Sequence, residues 1–266
     1  MSKYLPSDHT FAVCAYGAAP FLEQCVVSLL DQTIRTNILV ATSTPNEHIC
    51  ATAEKYDIPL YVNEGEPGIA HDWNCAVSYC KTPLVTIAHQ DDIYLPSFAE
   101  MTLDYLNGVA SPLIAFTDYG EIRNGQVVDQ SKLLRVKRTL LFPLKSKCGR
   151  SSCFIRRRVL SVGSPICCPS VTYVKDNLPD RLFTSTMKSN LDWEAWEQYS
   201  KLKGEFVYIP KLLMRHRIHE GSETTALIKD DTRTKEDFIM LKKFWPSFLA
   251  PIILKLYQTS QDSNDI

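Results

Sequence analysis

No stretch of the 266-residue chain stays apolar for the roughly 20 residues that a membrane-spanning helix requires. The longest greasy run, Phe244 to Tyr257, is broken by Pro246, Pro251 and Lys255. It reads as a terminal helix packed on the body, or as an interfacial segment with Lys242 and Lys243 toward lipid headgroups. Charge of one sign is lacking too. With 29 basic against 30 acidic residues and no strongly basic half, a partner held mainly by phosphate contacts, as nucleic acid is, is excluded. The nine cysteines are odd in number and none shows the C-x-x-C spacing of a structural zinc site, which points to buried free thiols in a reducing compartment. Met1 to Asp8 is polar and contains a proline, so no signal peptide precedes the first apolar run and the expected location is cytoplasmic. Internal repeats and low-complexity tracts are absent as well.

What is there is an ordinary folded composition, 45% hydrophobic and 22% charged, with length for one large domain or a domain with an appended segment. Thr10 to Ala15 is a compact apolar run of strand length, and Phe21, Leu22, Cys25, Val26, Leu29 and Leu30 then recur at helical spacing behind Pro20. The rhythm repeats through Asn37 to Ala41, Asn46 to Tyr56, Leu60 to Val62, Gly68 to Cys80 and Leu84 to Ala88. Four strands alternating with three helices predict parallel strands covered on both faces, with ligands beyond their carboxyl ends. Those ends are Tyr16-Gly17, Thr42 to Pro45 and His89 to Asp92. Further on, Pro96 to Leu106 reads as a helix, Leu113 to Thr117 as a strand and Asn124-Gly125 as a hairpin turn. Asp129 to Lys147, with Arg135, Lys137, Arg138, Lys145 and Lys147, reads as a basic, irregular, mobile loop. Leu191 to Leu202 reads as a helix, Phe206 to Ile209 and Leu212 to Arg217 as two strands, and Asp230 to Tyr257 as mostly helical.

Three constellations could carry chemistry. In His89-Gln90-Asp91-Asp92 two adjacent carboxylates follow a buried strand, an arrangement best tolerated beside a hard cation, although a turn or cap before Pro96 would also account for it. In Asp192-Trp193-Glu194-Ala195-Trp196 the carboxylates diverge by about 200° on a helix, so only one can face a given cleft, unless both simply cap the helix start. The third is Arg215 to Thr224, where His219, Arg217 and Arg215 share one face of an extended strand.

In this order, Ala15-Tyr16-Gly17 with Ser28 to Thr33, Gly68-Ile69-Ala70 with Trp73-Asn74, Gln90-Asp91-Asp92, and Asp192 to Trp196 closed by Arg217-Ile218-His219 with Ser222 and Thr224 resemble family 2 glycosyltransferases of the GT-A fold. The resemblance covers roughly Thr10 to Thr224. It implies an α/β fold, a mostly parallel Rossmann-like sheet flanked by helices with a C-terminal helical extension. It also implies a 1–225 catalytic domain, whose halves, about 9–118 and 119–225, bind nucleotide-sugar and acceptor, followed by a 226–266 helical segment. Carried over residue by residue, it makes Ala15, Tyr16, Ser43, Trp73, Asn74 and Asp91 contacts of the nucleotide-sugar, Asp92 and His219 ligands of Mn²⁺ or Mg²⁺, Arg217 a contact of diphosphate or donor, Asp192 the general base and Glu194 its reserve.

The implied activity is metal-assisted, inverting single displacement from a nucleotide-diphosphate sugar, UDP-sugar favoured, to a saccharide or lipid-linked acceptor in glycan or polysaccharide assembly, with peripheral contact at the inner membrane face an option. Such a displacement needs no covalent nucleophile, so the lack of a Ser-His-Asp or Cys-His motif is no objection. The sequence departs from the pattern in three places: Ala41-Thr42-Ser43-Thr44 lacks the base-reading Asp of many relatives, Trp73 stands where an Arg often precedes the Asn, and Gln90 replaces a frequent acid. Two other readings stand beside this one. One is a nucleotide-sugar-binding module without transfer activity. The other is a sugar nucleotidyltransferase, disfavoured because Ala15-Tyr16-Gly17-Ala18-Ala19 has one glycine and no cation to cradle a triphosphate.

Overall fold

The structure, a computed structural model, describes residues 3–219 and 232–255. Ser222 and Thr224 lie outside the described residues. The first half is the expected alternation: β1 (His9–Ala15), α1 (Leu22–Leu30), β2 (Asn37–Thr42), α2 (Glu47–Lys55), β3 (Leu60–Val62), α3 (Ile69–Tyr79) and β4 (Leu84–His89). All pairings among these strands are parallel, in the order β3-β2-β1-β4. Both faces of the sheet are apolar because helices cover both. Leu22, Val26, Ile49 and Phe98 pack on one side, and Ala76, Val77, Trp193 and Trp196 on the other.

The second half extends this sheet with mixed directions. After β5 (Ile93–Tyr94) and α4 (Phe98–Asn107), the long β6 (Pro112–Arg123) turns through a hairpin into β7 (Gln126–Val128). Asn124 and Gly125 both take positive φ, 49° and 79°, the turn that the Asn-Gly pair predicts. Then come α5 (Lys132–Leu141), α6 (Lys147–Ser151), α7 (Cys153–Val159), β8 (Val171–Val174), α8 (Leu191–Tyr199), β9 (Glu205–Ile218) and α9 (Thr232–Lys242). Strand β8 runs antiparallel between β4 and β6, and β9 pairs with both β6 and β5.

Two expectations are corrected here. Asp129 to Lys147 is largely helical, not an irregular loop: Ser131 caps α5 by accepting from the Leu134 amide, and Leu134 and Leu141, one heptad apart, are buried. The two strands expected between Phe206 and Arg217 are one, because Pro210, which has no N–H to donate, and Lys211 are accommodated by a bulge opposite Thr117 and Asp118. Three of the nine free cysteines, Cys50, Cys148 and Cys153, are exposed rather than buried. Among the described residues no helix is long and apolar enough to cross a membrane.

Candidate active site

The carboxyl ends of β1, β2 and β4 converge as the parallel topology requires. Gln90, just past β4, accepts from the Tyr16 amide at 2.9 Å and donates to the Tyr16 carbonyl at 3.0 Å, so it pins the loop after β1 and leaves the Tyr16 ring 60% exposed. Ala15 is buried at the strand end. At the end of β2 the Ser43 hydroxyl donates to Asp72 at 3.0 Å, and Asn63 donates to the other oxygen of that carboxylate at 2.9 Å. A carboxylate thus stands beside the β2 end after all, supplied by α3.

Asp92 and Asp91 part company. Asp92 is fully buried, and its Oδ1 accepts from the Arg217 amide at 2.8 Å and lies 3.0 Å from His216 Nδ1. Burial alone would lower the His216 pKa, but the charge and hydrogen bond of Asp92 outweigh it and lift the imidazole to about 9, so the pair is ionic. Asp92 Oδ2 and His89 Nε2 are buried without a hydrogen-bond partner. Asp91 is the partly exposed carboxylate, 3.0 Å from His219 Nε2. The Arg217 guanidinium donates to the Asp91 carbonyl and Gln24 and covers the Phe21 ring at 4.0 Å, which fixes β9 to the start of α1.

Asp192 lies in the first turn of α8 and accepts from the Trp193 amide at 2.7 Å. Burial pushes its carboxyl up to about 6, against the pull of that amide and of the Arg233 and Lys137 charges. Burial above all, with the charges of Asp92, Asp192 and Glu121 acting against that of Lys137, raises the Cys167 thiol, so this residue feels both carboxylates. Beyond it, Cys168 to Ser170 form a buried 3-10 turn, and Val171 and Thr172 are fully buried on β8. Glu194 points elsewhere, as its 200° offset requires. It is ion-paired to Lys243. Burial acts to raise its carboxyl, yet Lys243 and Ser185 hold it below the usual range.

Trp73 stacks on His89 at 5.1 Å and meets Phe183 edge-on at 4.9 Å. Asn74 donates to the Phe183 carbonyl and accepts from the Phe183 amide, so its side chain holds the segment leading into α8. That segment has a second anchor which sequence reasoning missed: Glu236 on α9 accepts from the backbone N–H groups of Lys188, Ser189 and Asn190 at 2.8 to 3.0 Å, while Asp237 accepts from the Asn190 side-chain Nδ2. No local sequence signal marks Glu236, because its partners are unremarkable residues 46 to 48 positions away.

Residues 10–162 match the family profile Glycosyl transferase family 2, more than half of the chain. The chain belongs to glycosyl transferase family 2. Beyond the family match, this glycosyltransferase is similar to an uncharacterized glycosyltransferase of Rickettsia prowazekii, 23% identical over 258 residues, which is 91% of this chain and 77% of that protein. Among solved structures, S. aureus TarS 1–349 in complex with UDP-GlcNAc superposes with a TM-score of 0.65 at 15% identity, covering 97% of this chain and 73% of that one. Glucosyl-3-phosphoglycerate synthase from Mycobacterium tuberculosis, in complex with Mn²⁺ and UDP-glucose, gives a TM-score of 0.54 at 11% identity over 90% and 79% of the two chains. The fold is GT-A, with a mixed α/β sheet flanked by helices.

Among the described residues no three His, Cys, Asp or Glu side chains converge on one point. Asp91 and His219, partly exposed and in mutual contact, fit a cation that takes only one or two protein ligands and fills its shell from phosphate oxygens. Asp92, committed to His216 and the β9 backbone, fits that role less well than Asp91.

Proposed function

We propose that this family 2 enzyme transfers a sugar from a UDP-sugar to a hydroxyl of a saccharide or lipid-linked acceptor, with inversion at the anomeric carbon, in glycan or polysaccharide assembly. One observation carries the reading: Asp192, with its carboxyl pushed up to about 6, and Asp92, which belongs to the cluster with Asp91, His216 and His219, both lie within electrostatic reach of Cys167. A carboxylate of that basicity, charged at neutral pH yet dehydrated, is suited to take the acceptor hydroxyl proton as the oxygen attacks. The backbone around Tyr16 and the Asp72 carboxylate, braced by Ser43 and Asn63, would receive the base and ribose; Asp72 takes the part of the acid missing after β2. Trp73 and Asp91 flank the sugar, and Arg217 keeps β9 against Asp91. A divalent ion, when bound, would be held by Asp91 and His219 and would offset charge building on the leaving diphosphate. In this reading the donor would sit on the half from about residue 9 to 118 and the acceptor on the half from about 119 to 225, with 226–266 as a helical segment.

The test is UDP release from a panel of UDP-sugars with Mn²⁺, with and without saccharide and lipid-linked acceptors. Acceptor-dependent release is expected, reduced about a hundredfold to ten-thousandfold in Asp192→Asn with donor binding within a few-fold of normal. Donor binding with no transfer to any acceptor, or wild-type turnover by the Asn variant, would refute the assignment.

A further inference from the structure

Ten lysines and arginines and no aspartate or glutamate lie between residues 130 and 160 of a chain that is otherwise evenly charged. Six of these cations point inward or along the surface to protein partners. Lys137 reaches the Tyr119 hydroxyl, Arg138 the Tyr119 and Asp129 carbonyls, Arg150 Glu205, Arg156 the Leu202 and Gly204 carbonyls, Arg157 Glu197, and Arg158 the Phe244 carbonyl. The other four, Lys132, Arg135, Lys145 and Lys147, are exposed and have no ion-pair partner among the described residues.

Their placement follows from the helical period. On α5 one face carries Leu134, Lys137, Arg138 and Leu141 into the protein, and the opposite face carries Lys132, Arg135, Val136 and Thr139 outward around a shallow depression. In the turn after α5, the Phe142 ring is 65% exposed with Lys145 over it at 5.2 Å, and Val136 is 47% exposed. Unpaired cations interleaved with bare apolar side chains suit a surface that offers anions and an apolar phase together. A charged polymer supplies the first but not the second.

We infer that the outward face of α5 and the turn through Lys147 form a docking surface for an anionic lipid bilayer. On the inward face of the same helix Lys137, bound to the Tyr119 hydroxyl, is near enough for its charge to act on Asp192, so docking would set Asp192 on the bilayer side and select lipid-linked acceptors; this last step rests on the transferase reading of Asp192.

The experiment is co-sedimentation of the full chain with vesicles of phosphatidylcholine containing 30% phosphatidylglycerol, and with vesicles of phosphatidylcholine alone. Binding to the first and not the second, lost in high salt, is expected. Lys132→Glu with Arg135→Glu should weaken it at least about 25-fold, roughly fivefold per charge removed. Phe142→Ala should weaken it without changing its salt dependence. Equal binding by the charge-reversal variant, or binding to soluble dextran sulfate with none to vesicles, would overturn the proposal, the latter in favour of an anionic polymer. Stabilisation of each variant by UDP-sugar, measured without vesicles, separates the two readings: it should be unchanged in the α5 variants, while Asp192→Asn should bind vesicles as the wild type does.

Discussion

Asp192 shows how surroundings can fit an ordinary residue to the base role proposed for it. Its carboxyl is raised to about 6 by burial, so the base form grows as pH rises through that value. Below pH 6, kcat/KM should climb about tenfold per unit and then level off above 7, measured with saturating acceptor. Linkage to stability has the opposite sign. The folded state disfavours the charged form, so the contribution of Asp192 to stability falls as pH rises from about 4 to about 6, and a thermal melt series on Asp192→Asn should lack that decline. Asp72, held by Ser43 and Asn63, is the second residue whose role depends on its neighbours. Asp72→Asn should raise the donor KM about tenfold and leave kcat within twofold, read by initial rates; an unchanged KM would take Asp72 out of the donor site. At this scale the sequence named Asp91, Asp92, Asp192 and His219, because carboxylates beyond strands and at a helix start are visible in one dimension. It did not tell the buried carboxylate from the open one. Asp92 is defined by His216, 124 positions on, and no local pattern carries that distance.

The elements differ in how much of their cause is local. The first four strands and three helices were legible because each has its own apolar period and stop signals, such as Asn46, whose side chain accepts from the Ile49 amide at the start of α2. Helix α5 is not, since six cations over nineteen residues mask a leucine face, and in β9 a proline that the sheet absorbs in a bulge reads as a break. Helix α8 depends on contacts from outside itself: Asn74 holds the approach and Glu236 satisfies three backbone donors at its start. Truncating Glu236 to Ala removes the acceptor of those N–H groups, of which that of Asn190 is buried and those of Lys188 and Ser189 part-buried, at a cost of about 3 kcal/mol, or a fall in Tm of roughly 6 to 12 °C. Because Asp192 rides on that helix, kcat should fall more than KM, and Glu236→Gln, which keeps one acceptor oxygen, should recover part of both. A Glu236→Ala variant with unaltered kcat would show that the clamp has no bearing on Asp192.

At the scale of the whole molecule, α9 is built into the same core as the sheet. Met240 and Leu241 are fully buried, Phe244 stacks on Trp193 at 6.3 Å, and the Trp245 indole donates to the Ser161 carbonyl at 2.6 Å. A protein ended at residue 230 should therefore lose cooperative unfolding, seen as a broad or absent calorimetric transition, instead of retaining a stable catalytic unit. The buried pair of Asp92 and His216 also bears on how the chain comes off the ribosome. At roughly 5 to 20 residues per second, the strand carrying the imidazolium is made about 6 to 25 seconds after the carboxylate it neutralises. Until then the nascent amino-terminal half would have to bury a bare anion. Closure of that half is therefore disfavoured by an uncompensated carboxylate until the last strand of the sheet arrives.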